Sequence, residues 1–280
     1  MDDFFAKVLL AVIQGISEAF PVSSSGHVCI VARFLGIPVG DSMGLEVAYH
    51  VGGLAAIAFV FRGKVADLFR AAADMLALNF NTERARFAFA VAISFIPAGA
   101  VGYAVKSLDL NKFLSLNDPK VIAMSSVLFA ILMFVCDFFA EKRERPICKI
   151  SFIEAFVFGA FQAFAIVPGA SRLGMCFTAG RILGYSRPDS VTFSFIMGIP
   201  TILGAITLSA VKSGGVFVRV GGELFLGAVL SAMLTAAFIP LFVKMVSYEF
   251  YGRNDNRFNI GVFSVALYRI LLGVVVIFSV

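Results

Sequence analysis

Six apolar runs of about twenty residues each constrain this chain more than any other feature. They cover residues 43–61, 87–105, 121–140, 191–211, 224–246 and 260–280. A run of that length matches a helix crossing a hydrocarbon layer of about 30 Å. Backbone polar groups in lipid must be satisfied within the segment or within a closed barrel. Barrel strands are short and alternate apolar with polar residues, whereas these runs are continuous, so the spans are helices. The chain is 60% apolar and 15% charged, with a mean hydropathy of +0.93. Soluble domains run near about 45–50% and 25%, so a soluble enzyme is excluded. A disordered chain is excluded as well, because disorder needs low hydrophobicity and high charge. The reading is an all-α polytopic membrane protein, a single integral-membrane domain over residues 1–280.

The net charge of +5 and the pI near 9.1 suit Lys and Arg in cytoplasmic loops, and no nucleic-acid partner is expected. Thirty-two Phe and no Trp suit surface that faces membrane lipid. Cys29, Cys136, Cys148 and Cys176 form no CxxC pair, which suggests neither a zinc site nor a disulfide framework. The start, MDDFFAK, is acidic, unlike a secretory signal, and is read as retained.

Two regions depart from the span pattern. Residues 4–20 are apolar, break at PVSSSGH and resume only over 28–37. Residues 150–167 are apolar, break at PGASRLG and resume only over 175–185. Each pairs a moderate helix with one too short to span, which predicts re-entrant hairpins over about 4–37 and 150–185. Such backbone survives at membrane depth only when buried in protein or lining a wet cavity. The breaks also resemble each other. Gln14, Pro21, Ser24 and Gly26 in the first answer to Gln162, Pro168, Ser171 and Gly174 in the second. Broken helices at corresponding places in two halves mark an internal repeat.

Charge sets the topology. Loop 62–86 carries Arg62, Lys64, Arg70, Arg84 and Arg86, and the same side then holds Lys142, Arg143, Arg145, Lys149, Arg187, Arg253 and Arg257. The opposite side holds Lys7, Lys106, Lys112, Lys120, Lys212 and Arg219. The richer side is cytoplasmic by the positive-inside rule, so both termini are expected outside. The first hairpin then enters from outside and the second from inside, with tips meeting near the midplane, as an inverted repeat requires. An interfacial amphipathic helix is expected near 65–78.

Gln14 and Glu18 are four residues apart and share a helix face. A carboxylate deep in an apolar helix costs at least about 2.5 kcal/mol, which makes Glu18 a functional candidate; the bland alternative is a hydrogen bond to a neighbouring helix. Ser23, Ser24, Ser25 and Gly26 offer hydroxyls and backbone N–H groups suited to an anion at a helix start, against the alternative of an ordinary Ser-rich turn. His27 beside them is a candidate acid, base or nucleophile. His50 lies inside a span and is expected to pack or to make a supporting contact. In the second break, Arg172 next to Ser171 has a planar fork that suits phosphate; its alternative is a pair with Glu18 or Glu154. Together these groups form a set for phosphoryl transfer. No Walker-type loop and no HExxH motif is present.

These motifs resemble the undecaprenyl-diphosphate phosphatases of the bacitracin-resistance type. The family pattern (E/Q)xxxE with PxSSxGH stands here as Gln14-x-x-x-Glu18 and Pro21-Val-Ser23-Ser24-Ser25-Gly26-His27. The pattern PGxSRSxxT stands as Pro168-Gly169-Ala170-Ser171-Arg172-Leu173-Gly174-Met175-Cys176. The resemblance implies removal of the terminal phosphate of a polyprenyl diphosphate at the outer face of the bacterial inner membrane. That reaction recycles the lipid carrier for cell-wall synthesis and confers bacitracin resistance. It implies Mg2+ or Ca2+ held by Glu18 and more weakly by Gln14, and a possible homodimer. It makes Ser24 the nucleophile with His27 exchanging its proton, or His27 the nucleophile itself. It gives the grip on the diphosphate to Ser171 and Arg172. Leu173 and Cys176 replace two hydroxyls of the family pattern; the Ser171-Arg172 pair is intact, so activity is expected, with the alternative of an altered rate or substrate range. The competing reading is a polyprenyl-phosphate transporter without hydrolysis, since inverted re-entrant repeats also build transporters. A non-catalytic scaffold leaves Glu18 and Arg172 unexplained.

Overall fold

A computed structural model describes residues 3–37, 39–108, 118–141, 146–212, 222–248 and 258–279. Among them stand eleven α-helices, two short 3-10 turns and no strand. We number the helices α1 (Asp3–Glu18), α2 (Ser24–Phe34), α3 (Val39–Val60), α4 (Arg62–Leu76), α5 (Glu83–Ser107), α6 (Pro119–Phe139), α7 (Phe152–Ala163), α8 (Arg172–Ile182), α9 (Arg187–Lys212), α10 (Gly222–Ser247) and α11 (Ile260–Ser279). Several of the residues that anchor the topology argument, namely Lys112, Lys142, Arg143, Arg145, Arg219, Arg253 and Arg257, lie outside the described residues, as does Val280.

Local chemistry explains where the helices begin. Thr82 caps α5 by accepting the Ala85 N–H at 3.1 Å. Asp118 caps α6 with Pro119 in the first turn, a place where the missing N–H costs nothing. Ser151 and Glu154 close a reciprocal capping box on α7, which satisfies two otherwise orphaned donors. The expected amphipathic segment near 65–78 is α4; it buries Ala71 and leaves Phe69 and Leu76 exposed.

Stretches of α5, α6, α9, α10 and α11 are long and apolar enough to cross a membrane. In α3 the described apolar stretch is the shorter Leu45–Val60. Large apolar side chains such as Phe59, Leu128, Phe225 and Phe278 face outward, which a lipid phase tolerates and water does not. The chain is therefore a multi-pass membrane protein.

Lipid tails are as apolar as leucine, so polar ties matter between membrane helices. Ser231 and Thr235 of α10 donate to the Tyr49 carbonyl of α3 at 3.1 Å and to the Gly15 carbonyl of α1 at 2.9 Å. Asp137 of α6 is buried and accepts from Arg181 at 2.5 Å and from Arg187 at 2.9 Å. Two arginines sharing one carboxylate join α6 to α8 and α9, satisfying charges that would otherwise be costly to bury. Between these ties, Ile57, Met133, Phe177, Phe195 and Phe242 pack into one apolar core.

The two short-helix pairs, α1 with α2 and α7 with α8, stand beside each other at their loops. The Gly169 N–H donates to the Ser23 hydroxyl across 3.1 Å, so the two loops touch. Ser23 and Ser171 both sit at the start of the second helix with positive φ, 70° and 69°, a costly conformation for a residue with a side chain. By helix start, Ser23 is thus the counterpart of Ser171, whereas the spacing from the two prolines pairs Ser171 with Ser24. Ser23 and Ser171 also stand equally far from Gln14 and Gln162, while the proline sits one residue further from its serine in the second loop, where Gly169 has φ 93°. A Cβ there would collide with Ser125 and with the Ile122 carbonyl.

Candidate active site

The last turn of α1 carries Glu18, which is buried. Its Oε1 accepts from Arg172 Nη2 at 3.1 Å. Its Oε2 accepts from the Ser24 hydroxyl at 2.6 Å and from Gln14 Nε2 at 3.1 Å. One carboxylate therefore joins α1, α2 and α8. Arg172 also donates Nη1 to the Ser194 carbonyl at 3.1 Å, which aims its fork. Arg172 thus makes the pair with Glu18 and stays part-exposed in a cavity.

That cavity measures about 320 Å³. Glu18, Ser23, Ser24, Ser25, Ser171 and Arg172 all line it, so most of the residues singled out from sequence converge on one space. Leu173 reaches it too, and an apolar side chain stands where the family pattern has serine. Cys176 is buried, with its Sγ 3.8 Å from Gln162 Oε1.

Three predicted residues are not on the cavity wall. Gln14 is fully buried behind Glu18. Gly26 belongs to the first turn of α2, whose N–H groups lack intrahelical partners. Ser23 does not cap them; its hydroxyl is turned to Gly169. The start of α2 is open to an anion, because the helix dipole and free N–H groups favour negative charge there. The start of α8, by contrast, is closed by Ser171, which accepts the Gly174 N–H at 3.2 Å. His27 faces away from the cavity. Its Nδ1 lies 2.8 Å from the Ser23 carbonyl and its Nε2 lies 2.7 Å from the Tyr268 hydroxyl, with the two rings stacked at 5.7 Å. This pair borders a second, largely apolar cavity of about 460 Å³.

Two further groups belong to the site. Arg269 of α11 is fully buried. It donates to the carbonyls of Pro21 at 3.1 Å, Gly169 at 2.7 Å and Ala170 at 3.1 Å. One guanidinium thus satisfies carbonyls from both loops. An arginine in an otherwise apolar run carries the same signal that marks Glu18. The second group is His50 with Glu46, four residues apart on α3. The imidazole lines the cavity, with Nδ1 3.5 Å from Glu18 Oε2 and Nε2 3.5 Å from Glu46 Oε1. Nothing in the local sequence separates His50 from a packed residue; only the approach of α3 to α1 does.

A hydroxyl bonded to a carboxylate, a guanidinium fork and an open helix start make a centre that can bind an anion and present it to a nucleophile. Fold and centre together define an all-helical, multi-pass membrane protein with a polar, part-open cavity between two loops. The chain matches the family described as bacitracin resistance protein BacA over residues 7–275, and it belongs to that family. It is 31% identical over 277 residues to the undecaprenyl-diphosphatase of Chromohalobacter salexigens, covering 98% of each chain. It is 32% identical over 281 residues to undecaprenyl-diphosphatase 2 of Stutzerimonas stutzeri, covering 98% of this chain and 97% of that one. Against the undecaprenyl-diphosphatase of Nitrosococcus oceani it is 32% identical over 272 residues, covering 97% of each.

Proposed function

We propose that this protein hydrolyses undecaprenyl diphosphate to the monophosphate and inorganic phosphate. That reaction returns the lipid carrier to cell-wall synthesis and underlies bacitracin resistance. The observation that carries the reading is the Ser24 hydroxyl, 2.6 Å from Glu18, in one cavity with the Arg172 guanidinium. The full-length likeness to proteins named undecaprenyl-diphosphatase supports it.

The diphosphate enters with its terminal phosphate at the start of α2 and against Arg172. Ser23, Ser25 and Ser171 surround it beside the first turn of α2, which holds Gly26, and fixed donors stabilise the charge that grows in the transition state. Ser24 Oγ attacks the terminal phosphorus. The bond from phosphorus to the bridging oxygen breaks, and undecaprenyl phosphate leaves with that oxygen and its electron pair. Glu18 takes the Ser24 proton along the existing hydrogen bond. Water then attacks the phosphoserine, restoring the hydroxyl and releasing phosphate. Attack by His27 itself would require its ring to leave Ser23 and Tyr268. Exchange of a proton by His27 likewise follows only once that ring turns.

The buried residues fit a divalent cation in one respect. Gln14 Oε1 has no hydrogen-bond partner and lies on the side chain that binds Glu18. Among the described residues no group of three or more His, Cys, Asp or Glu is placed to hold a metal ion. Mg2+ ordinarily takes one or two carboxylates and completes its shell with water and substrate phosphates. Glu18 and Gln14 would hold Mg2+ or Ca2+ together with the diphosphate, and the bound ion would neutralise its charge.

In this reading α3 is the sixth span, and α1–α2 and α7–α8 are re-entrant hairpins of an inverted repeat. The charged loops face the cytoplasm, and the site opens to the outer face of the bacterial inner membrane. Purified protein in detergent is expected to release phosphate from undecaprenyl diphosphate, to stop on chelation and to recover with added Mg2+ or Ca2+. Persistence of full activity in chelator would remove the metal from this account.

A smaller change tests the fork. Gly198 of α9 leaves room for Arg172, whose Cζ would lie 2.7 Å from a Cβ at that position. Gly198→Ala is expected to push the guanidinium aside and lower kcat/KM by about 100-fold, the order of effect of an ångström-scale misplacement. The melting temperature in detergent should stay close to that of the wild type.

A further inference from the structure

Among the groups around the cavity, His50 has no place in the reaction just described. Its contacts fix its chemistry. Gln14 Nε2 lies 3.1 Å from Glu18 Oε2, and a carboxylate oxygen only accepts. The amide therefore turns its NH2 toward Glu18, which settles its orientation. The same nitrogen lies 3.1 Å from His50 Nδ1. An amide nitrogen only donates, so in the neutral ring Nδ1 is the accepting nitrogen and the proton sits on Nε2. That nitrogen faces Glu46 Oε1 at 3.5 Å. The order is Glu46, imidazole, amide, carboxylate and hydroxyl, in which each group orients the next and the last is Ser24. It spends both amide protons of Gln14 and leaves Oε1 without a partner.

We propose that His50 is a positioning residue for the Glu18–Ser24 pair, acting through the amide of Gln14 and braced by Glu46 on the same helix. The inference rests on the phosphatase reading and deepens it. Without an acceptor at Nδ1, the Gln14 amide is free to rotate. Glu18 Oε2 then loses a fixed donor and Ser24 loses its alignment. The imidazole acts on the carboxylate rather than on the lipid, so the turnover number should fall while the Michaelis constant holds. Ligand-orienting partners of this kind are typically worth about 10- to 100-fold in activity.

The test is steady-state phosphate release from undecaprenyl diphosphate by purified protein in detergent. His50→Leu is expected to lower kcat by about 10- to 100-fold, with KM close to that of the wild type. His50→Gln offers an amide oxygen to the same N–H and is expected to restore most of kcat, which also guards against misfolding as the cause. Gln14→Ala combined with His50→Leu is expected to be no worse than the poorer single variant, because residues acting as one unit are not additive. Wild-type kcat in His50→Leu would overturn the inference. So would equal damage in His50→Gln, a rise in KM as large as the fall in kcat, or losses that multiply in the double variant. An inactive wild-type protein would instead overturn the phosphatase reading, and the inference with it.

Discussion

Replacing Ser24 with alanine is expected to reduce phosphate release to near background, a loss of about 10,000-fold or more, as when a nucleophile is removed from a unit that acts together. The side chain is small and buried, so the change removes one oxygen and little packing. The Glu18 carboxylate keeps Arg172 and Gln14 as partners, so the fold should survive and lipid binding with it. The check is phosphate release beside a binding measurement on the same preparation. Acid quenching of wild-type turnover should leave phosphate on Ser24, and peptide mapping would locate it. Phosphate found on His27 would transfer the nucleophile's role to the imidazole and refute the order of events given above.

Arg172→Ala should show the second large effect, a fall in kcat/KM of about 1,000-fold or more, the range seen when an arginine that meets transferring phosphoryl charge is lost. Two causes add here. The diphosphate loses a planar fork that no other described residue of the cavity offers. Glu18 also loses its cation at 3.1 Å, and a buried carboxylate without one is costly. Arg172→Lys should recover little, because an ammonium cannot bridge Glu18 Oε1 and the Ser194 carbonyl at once. Activity of Arg172→Lys within a few-fold of the wild type would mean that charge alone matters and that the fork does not.

Much of this was legible in the sequence because membrane burial makes ionisable residues conspicuous. Glu18 and Arg172 stand out against apolar surroundings, and both reach the cavity. Two Pro/Ser/Gly breaks at corresponding places lead to loops that touch through Ser23 and Gly169. The register of the repeat was only half legible: the spacing from Gln14 and Gln162 pairs Ser23 with Ser171, whereas the spacing from the two prolines pairs Ser24 with it. The roles of the two histidines were not legible either. His27 carries the family motif yet faces Tyr268, while His50 sits in a plain apolar run and reaches Glu18. That difference depends on how α3 and α11 approach α1 and α2, which is a matter of long-range packing. Arg269 was legible by the rule that exposed Glu18, and its work of satisfying two loops emerges only once both loops are in place.

The central claim is that the two loops build a hydrolytic centre and not only a lipid-binding one. The direct test follows the fate of undecaprenyl diphosphate in sealed vesicles containing the purified protein, reading phosphate release and lipid movement together. Inorganic phosphate and undecaprenyl phosphate are expected in equal amounts, with both lost in Ser24→Ala. Movement of the lipid carrier across the bilayer without release of phosphate by the wild-type protein would contradict the central claim and favour a transporter.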